Sequence, residues 1–314
     1  MKTSAVTPSD LQGVFAVPPL ARQAGPAGGL DPEQNDRIAG HILAGGVTRL
    51  LYGGNAFLYH VTLADYEALV EWMARVPGDA WMIPSVGPSY GRAIDQARRL
   101  CRYPFPAAML LPCSDPRDAA GLERGAREIA QALGRPLIVY LKEESSFGAQ
   151  AAAGLDAIAR LVDTGVCVAI KYAIVRSDPS VDAYLEALLA RVDRRIVVSG
   201  IGERPAVVHM QQWALPGFTT GSGCIAPRLS ARVFDACVGD DTAAALETRE
   251  HFLPLEDLRD RHGPAPVLHA AVEAAGIARP GPIPPFVSAP DAALVATLAP
   301  VAQALLAANA RTQM

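Results

Sequence analysis

The chain has 314 residues and a formal net charge of −4, with 50% hydrophobic and 19% charged residues. That apolar share excludes global disorder, and the length admits one large α/β barrel or two smaller domains. The mild acidity, with scattered basic residues that are nearly all Arg, leaves no footprint for nucleic acid or an anionic membrane surface.

The segment from Met1 to Asp10 is polar and lacks the apolar core of a signal peptide, so it reads as a flexible tail of a cytoplasmic protein. Beyond it, short apolar runs alternate with amphipathic stretches. Strands are expected at 14–17, 49–52, 81–86, 107–111, 137–141, 166–170, 195–199 and 217–220. Helices are expected between them at 32–45, 62–76, 89–101, 117–133, 150–163, 180–192 and 204–213. Asp31-Pro32 supplies one clear start signal, an N-cap followed by Pro at the first helical position.

This alternation predicts parallel strands joined by right-handed crossovers, and eight repeats predict a (β/α)8 TIM barrel over residues 11–225. An open doubly wound sheet is the alternative. Strand signals stop near 226. Helices are expected at 226–239, 241–260, 264–276 and 290–310, with a Pro-rich connector at 278–290. The stretch 226–314 therefore reads as a C-terminal helical region packed on the barrel. No stretch reads as a bilayer-crossing span.

In such a barrel, functional residues sit at the C-terminal ends of the strands. Lys171 is the most informative residue there. The chain has only three lysines, at 2, 142 and 171, and Lys171 lies in the apolar run Val166-Cys167-Val168-Ala169-Ile170-Lys171-Tyr172. Desolvation makes a neutral amine accessible near neutral pH, and an amine, unlike a guanidinium, condenses with a carbonyl to an iminium. The bland alternative is a lysine whose stem snorkels to solvent. Lys142 ranks below it, because Glu143 and Glu144 are expected to hold it charged.

Tyr140 closes the strand Leu137-Ile138-Val139-Tyr140, where a phenol can relay protons. Gly53-Gly54-Asn55-Ala56 follows another strand and offers consecutive amides to a carboxylate, although Gly-Gly-Asn is also ordinary turn chemistry. The loops Ser199-Gly200-Ile201-Gly202-Glu203 and Gly217-Phe218-Thr219-Thr220-Gly221 add amides and hydroxyls. Five cysteines without CxxC spacing and dispersed histidines indicate no disulfide framework and no metal site. The last loop lacks GxGxxG, so no dinucleotide cofactor is indicated.

Over Leu11 to Pro290 these pieces resemble the dihydrodipicolinate synthase / N-acetylneuraminate lyase family of Schiff-base aldolases. Gly53 to Thr62 stands where the family has its G-T-T-G-E segment, and Ile138-Val139-Tyr140 where its catalytic tyrosine closes the fifth strand. Ala169-Ile170-Lys171 matches its G-I-K, and Ser199-Gly200 its S-G. The resemblance implies Lys171 as the iminium-forming amine, Tyr140 as the proton shuttle, and Gly54, Asn55, Gly200, Glu203 and Thr219 as substrate contacts. It further implies no cofactor, a small 2-oxo acid substrate and a homotetramer built as a dimer of dimers.

The departures bear on the substrate. Asn55, Ala56 and Phe57 replace the second Thr, the Gly and the Glu of the motif. Pro112-Cys113-Ser114 replaces a tyrosine pair, and the stretch from Leu141 to Ser146 lacks the Arg that holds a dicarboxylic product. These lean away from dihydrodipicolinate synthesis and, with Glu203, toward aldol cleavage of a 2-keto-3-deoxy sugar acid or similar 2-oxo acid. Dehydration on the same iminium, and ligand binding without turnover, are the alternatives. A metal-dependent isomerase has no ligand cluster to support it.

Overall fold

A computed structural model describes residues 1–25, 28–114 and 117–312. Its sheet runs through β1 (Gly13–Ala16), β2 (Arg49–Leu51), β3 (Trp81–Ile83), β4 (Ser85–Val86), β5 (Ala108–Leu110), β6 (Leu137–Leu141), β7 (Cys167–Tyr172), β8 (Val197–Ser199) and β9 (Gly217–Thr220). The spatial order is β3-β2-β1-β9-β8-β7-β6-β5-β4, every pairing parallel. β3 and β4 are two halves of one barrel strand, parted at Pro84, which has no N–H to give the ladder. One half pairs with β2 and the other with β5, so the ring closes with eight barrel strands, as expected.

Outside it lie α1 (Pro32–Ala44), α2 (Leu63–Arg75), α3 (Tyr90–Leu100), α4 (Ala119–Leu133), α5 (Ala151–Asp163), α6 (Ala183–Leu189), α7 (Glu203–Gln211) and α8 (Pro227–Val238). Side chains of Asp31, Thr62, Asp118 and Asp182 each accept an orphan N–H from the first turn of α1, α2, α4 and α6. The strands are apolar on both faces because side chains fill the barrel inside and helices cover it outside. Leu50, Met82, Met109, Leu137, Ile170 and Phe218 are fully buried.

Four features depart from expectation. The eighth barrel helix, α8, lies beyond residue 225, so the barrel architecture runs to Val238. The single helix expected over 241–260 is two, α9 (Thr242–Glu250) and α10 (Leu253–His262), since Pro254 fits only the first turn of a new helix. The first ten residues are docked: Lys2 N–H donates to the Ala80 carbonyl at 2.8 Å, and its ammonium is 2.9 Å from Asp10. After α11 (Pro264–Ala274), α12 (Ala292–Arg311) has 20 residues, and it is long and apolar enough to cross a membrane by length and composition. Here it packs Leu298, Ala302 and Leu305 inward, and Asn309 accepts the Arg228 N–H at 2.9 Å.

Gly217 shows how closely β1 and β9 are drawn together. A Cβ there would lie 2.1 Å from the Gly13 carbonyl oxygen and 2.9 Å from that of Leu11, both backbone atoms. Gly217→Ala is expected to destabilise the chain by about 1–3 kcal/mol or more, the usual cost of overpacking. Gly40→Ala, mid-helix in α1 with nothing within 4 Å of the new methyl, should instead stabilise by about 0.5–1 kcal/mol. Urea denaturation of both variants checks the pair of signs.

Candidate active site

The register of β6 and β7 sets the centre of the site. Tyr140 and Lys171 are direct partners in that ladder, so their side chains leave the sheet on the same side. The Lys171 ammonium nitrogen lies 4.5 Å from the centre of the Tyr140 ring. Lys171 falls inside β7 rather than after it, because β7 continues to Tyr172, which pairs with Leu141 on one side and Ser199 on the other.

Lys171 is 7% exposed. Burial pushes its pKa down to about 7, and the nearby Arg259 guanidinium adds to the shift. A large fraction of the amine is therefore neutral at neutral pH. Tyr140 moves the other way: burial, then the neighbouring Tyr59 phenol, raise it above the ordinary range. It stays a protonated donor. Tyr59 itself is pushed up to about 12 by burial.

Lys171 and Tyr140 open into a cavity of about 250 Å³ at the C-terminal end of the barrel. Gly54, Asn55, Gly200 and Thr219 line it as well, so the structure brings together six of the seven residues singled out from the sequence. Asn55 donates its side-chain N–H to the Val17 carbonyl at 2.8 Å, which fixes the loop after β2. Among the described residues, no group accepts a hydrogen bond from the Gly54 or Asn55 backbone N–H. Gly200 passes directly over the end of β7, where a Cβ would lie 2.6 Å from the Tyr172 carbonyl oxygen.

Glu203 is the seventh, and it does not line the cavity. Gly202, at φ +90°, turns the chain so that Glu203 starts α7 fully buried, accepting the Ser230 hydroxyl at 2.6 Å. Its backbone N–H donates to Glu256 at 2.9 Å, and Glu256 occupies the cavity wall instead. Burial raises both carboxyls, and their proximity raises Glu256 further. Each carboxyl is therefore harder to ionise than an isolated one.

α10 brings residues that the sequence reading passed over. Glu256 and Arg259, three apart on one helix face, both reach the cavity, with Asp260 and Arg204 at its edge. Lys142 also lines it. Its expected acidic partners are engaged elsewhere, Glu143 with Arg117 at 2.5 Å and Glu144 with Arg176 at 2.6 Å. Tyr59 lay within the motif segment from Gly53 to Thr62 and carried a readable signal; the α10 residues, in a run of mixed charge, carried none. Among the described residues, no group of three His, Cys, Asp or Glu side chains is placed to hold a metal ion.

No protein-family model and no curated protein sequence matches the chain. Its fold does have counterparts. The dihydrodipicolinate synthase from Oceanobacillus iheyensis superposes with a TM-score of 0.80 at 21% identity, over 94% of this chain and 97% of that one. PhdJ, solved bound to a substrate intermediate, gives 0.79 at 18% identity over 98% and 99%. YagE, a prophage protein of the dihydrodipicolinic acid synthase family from E. coli K12 in complex with pyruvate, gives 0.75 at 17% over 93% and 98%. The likeness is one of fold: along nearly its whole length, the chain is built as a dihydrodipicolinate synthase-type barrel with its C-terminal helices.

Proposed function

We propose that the chain is a cofactor-free lyase of the dihydrodipicolinate synthase / N-acetylneuraminate lyase family, acting on a 2-oxo acid through a Schiff base at Lys171. One observation carries the reading: a buried amine with its pKa lowered to about 7 faces a protonated tyrosine across one rung of the sheet, at the mouth of a small cavity. The fold shared with YagE, whose structure holds pyruvate, supports it.

In this reading the free Gly54 and Asn55 amides receive the carboxylate of the 2-oxo acid, and Gly200 and Thr219 contact the rest of it. The neutral Lys171 nitrogen attacks the keto carbon, and the carbonyl oxygen takes a proton to give a carbinolamine. Tyr140 shuttles that proton and a second, so that the oxygen leaves as water and an iminium remains. Loss of the proton from a hydroxyl two carbons from the iminium carbon breaks the intervening C–C bond. Its electron pair moves toward nitrogen as an enamine and an aldehyde departs. Protonation of the enamine and hydrolysis then release pyruvate and the free amine. Dehydration starts from the same iminium, and product analysis separates the two outcomes.

Lys171→Arg keeps the charge but cannot form an iminium. Adduct trapping by borohydride with pyruvate, read by intact mass, should vanish, and turnover should fall by several orders of magnitude. Tyr140→Phe should still be trapped while losing roughly 10²–10⁴-fold in rate. A reducible adduct on Lys171→Arg, or its loss in Lys142→Arg instead, would show that another amine is the nucleophile.

The pH dependence follows from the same amine. The rate of pyruvate trapping should rise as Lys171 loses its proton, with a midpoint at about pH 7, and then level off. A rate that climbs steadily toward pH 10 speaks against a desolvated amine. The same family reading includes association as a dimer of dimers. Sedimentation at micromolar concentration should then give a species several-fold above the 33.0 kDa of one chain, and a persistent monomer contradicts it.

A further inference from the structure

We propose that Arg259 forms a second anion subsite, which selects 2-oxo acids carrying a distal carboxylate. This deepens the Schiff-base reading and rests on it for the identity of the substrate's other end. Arg259 belongs to α10, outside the barrel, yet its guanidinium lies in the cavity wall with Lys171 and Gly54.

Three observations lead there. First, Arg259 has no carboxylate within 4 Å among the described residues, whereas its neighbour Arg204 is 2.5 Å from Asp257, 3.7 Å from Asp260 and 4.0 Å from Glu256. The acids at this edge of the cavity are matched to Arg204. Second, among the described residues Arg259 makes only two long side-chain hydrogen bonds, from Nη1 to the Ser222 hydroxyl and from Nε to the Pro264 carbonyl, each 3.3 Å. Its Nη2 has no acceptor among the described residues. A half-buried guanidinium that lacks an acid beside it, with an N–H edge toward the cavity, is matched by an anionic ligand.

Third, the barrel leaves room for this arginine. Gly221 stands just past β9, and a Cβ there would lie 2.4 Å from Nη2. Any larger residue displaces the guanidinium from the wall. Glu256, on the same helix face, is not within 4 Å of Arg259 among the described residues; its Oε1 accepts the Glu203 N–H and its Oε2 is 4.0 Å from Arg204. Lys142 also lines the rim, with no ion pair within 4 Å among the described residues.

The guanidinium is a planar fork that matches the two oxygens of a carboxylate, and the cavity, at about 250 Å³, suits a short dicarboxylate. One carboxylate then sits at the amides after β2 and the other at Arg259, with the keto carbon beside Lys171 between them.

The test uses glutarate and pentanoate, acids of equal chain length that differ in the second carboxylate. Neither carries a keto group, so no iminium intervenes. Calorimetric titration of the full-length protein should show glutarate favoured by roughly 10- to 100-fold, the worth of a charged hydrogen-bonded pair. Arg259→Gln should bring the two acids close to parity, and Arg259→Lys should keep part of the preference. Gly221→Ala, which fills the space of Nη2, should act like Arg259→Gln, so the outcome does not hang on one variant's folding. Equal binding of both acids to the unaltered protein overturns the proposal. So does a preference that survives Arg259→Gln, or an equal weakening of both acids, which would assign Arg259 to the carboxylate they share. Pyruvate trapping at Lys171 is scored separately, and its failure would remove the Schiff-base reading while leaving the anion subsite to stand on glutarate binding.

Discussion

The cavity depends on one rung of the parallel ladder, the pairing of Tyr140 with Lys171. A strand's side chains alternate faces, so a one-residue slip of β7 against β6 would turn Lys171 out of the barrel mouth. The register is held because both strands are apolar on both faces and continue past this rung, with Leu141 beside Tyr172. Closure of the ring adds the rest. The break at Pro84 lets β3 turn to β2 and β4 to β5, and the eight strand ends then converge on one mouth.

Much of this was legible in the sequence. Strand–helix alternation is a pattern of hydrophobic period, and Asp31-Pro32 marks a helix start by local chemistry that tertiary structure seldom overrides. Lys171 stood out because the chain uses lysine so sparingly. The end of β7 was misplaced for the same reason: a charged residue after five apolar ones reads as the end of a buried strand, and only packing reveals a lysine kept inside one.

Glu203 and α10 show where the sequence ran out. Glu203 has the position of a substrate contact along the chain, but Gly202 at positive φ sends it under the loop, a turn that one glycine among 27 does not announce. Glu256-Asp257-Leu258-Arg259-Asp260-Arg261 has the mixed charge of a solvated helix face. Its role at the cavity exists only because α10 docks over the ends of β8 and β9, with Glu256 against Gly202 and the Arg259 guanidinium against Gly221. Contacts between segments so far apart in sequence leave no local signature.

The buried lysine also has a thermodynamic consequence for the whole chain. Its amine has a pKa of about 7 in the folded state against 10.5 in an unfolded chain. The unfolded state therefore binds the extra proton between those values, and folding is opposed by a penalty of the order of a few kcal/mol. The penalty is full below pH 7, shrinks as pH rises toward 10.5, and is gone above it. At neutral pH the rest of the barrel carries nearly all of it. The amine's reactivity and the chain's stability draw on the same desolvation, so an apolar residue of similar length at 171 yields a sturdier, chemically inert barrel.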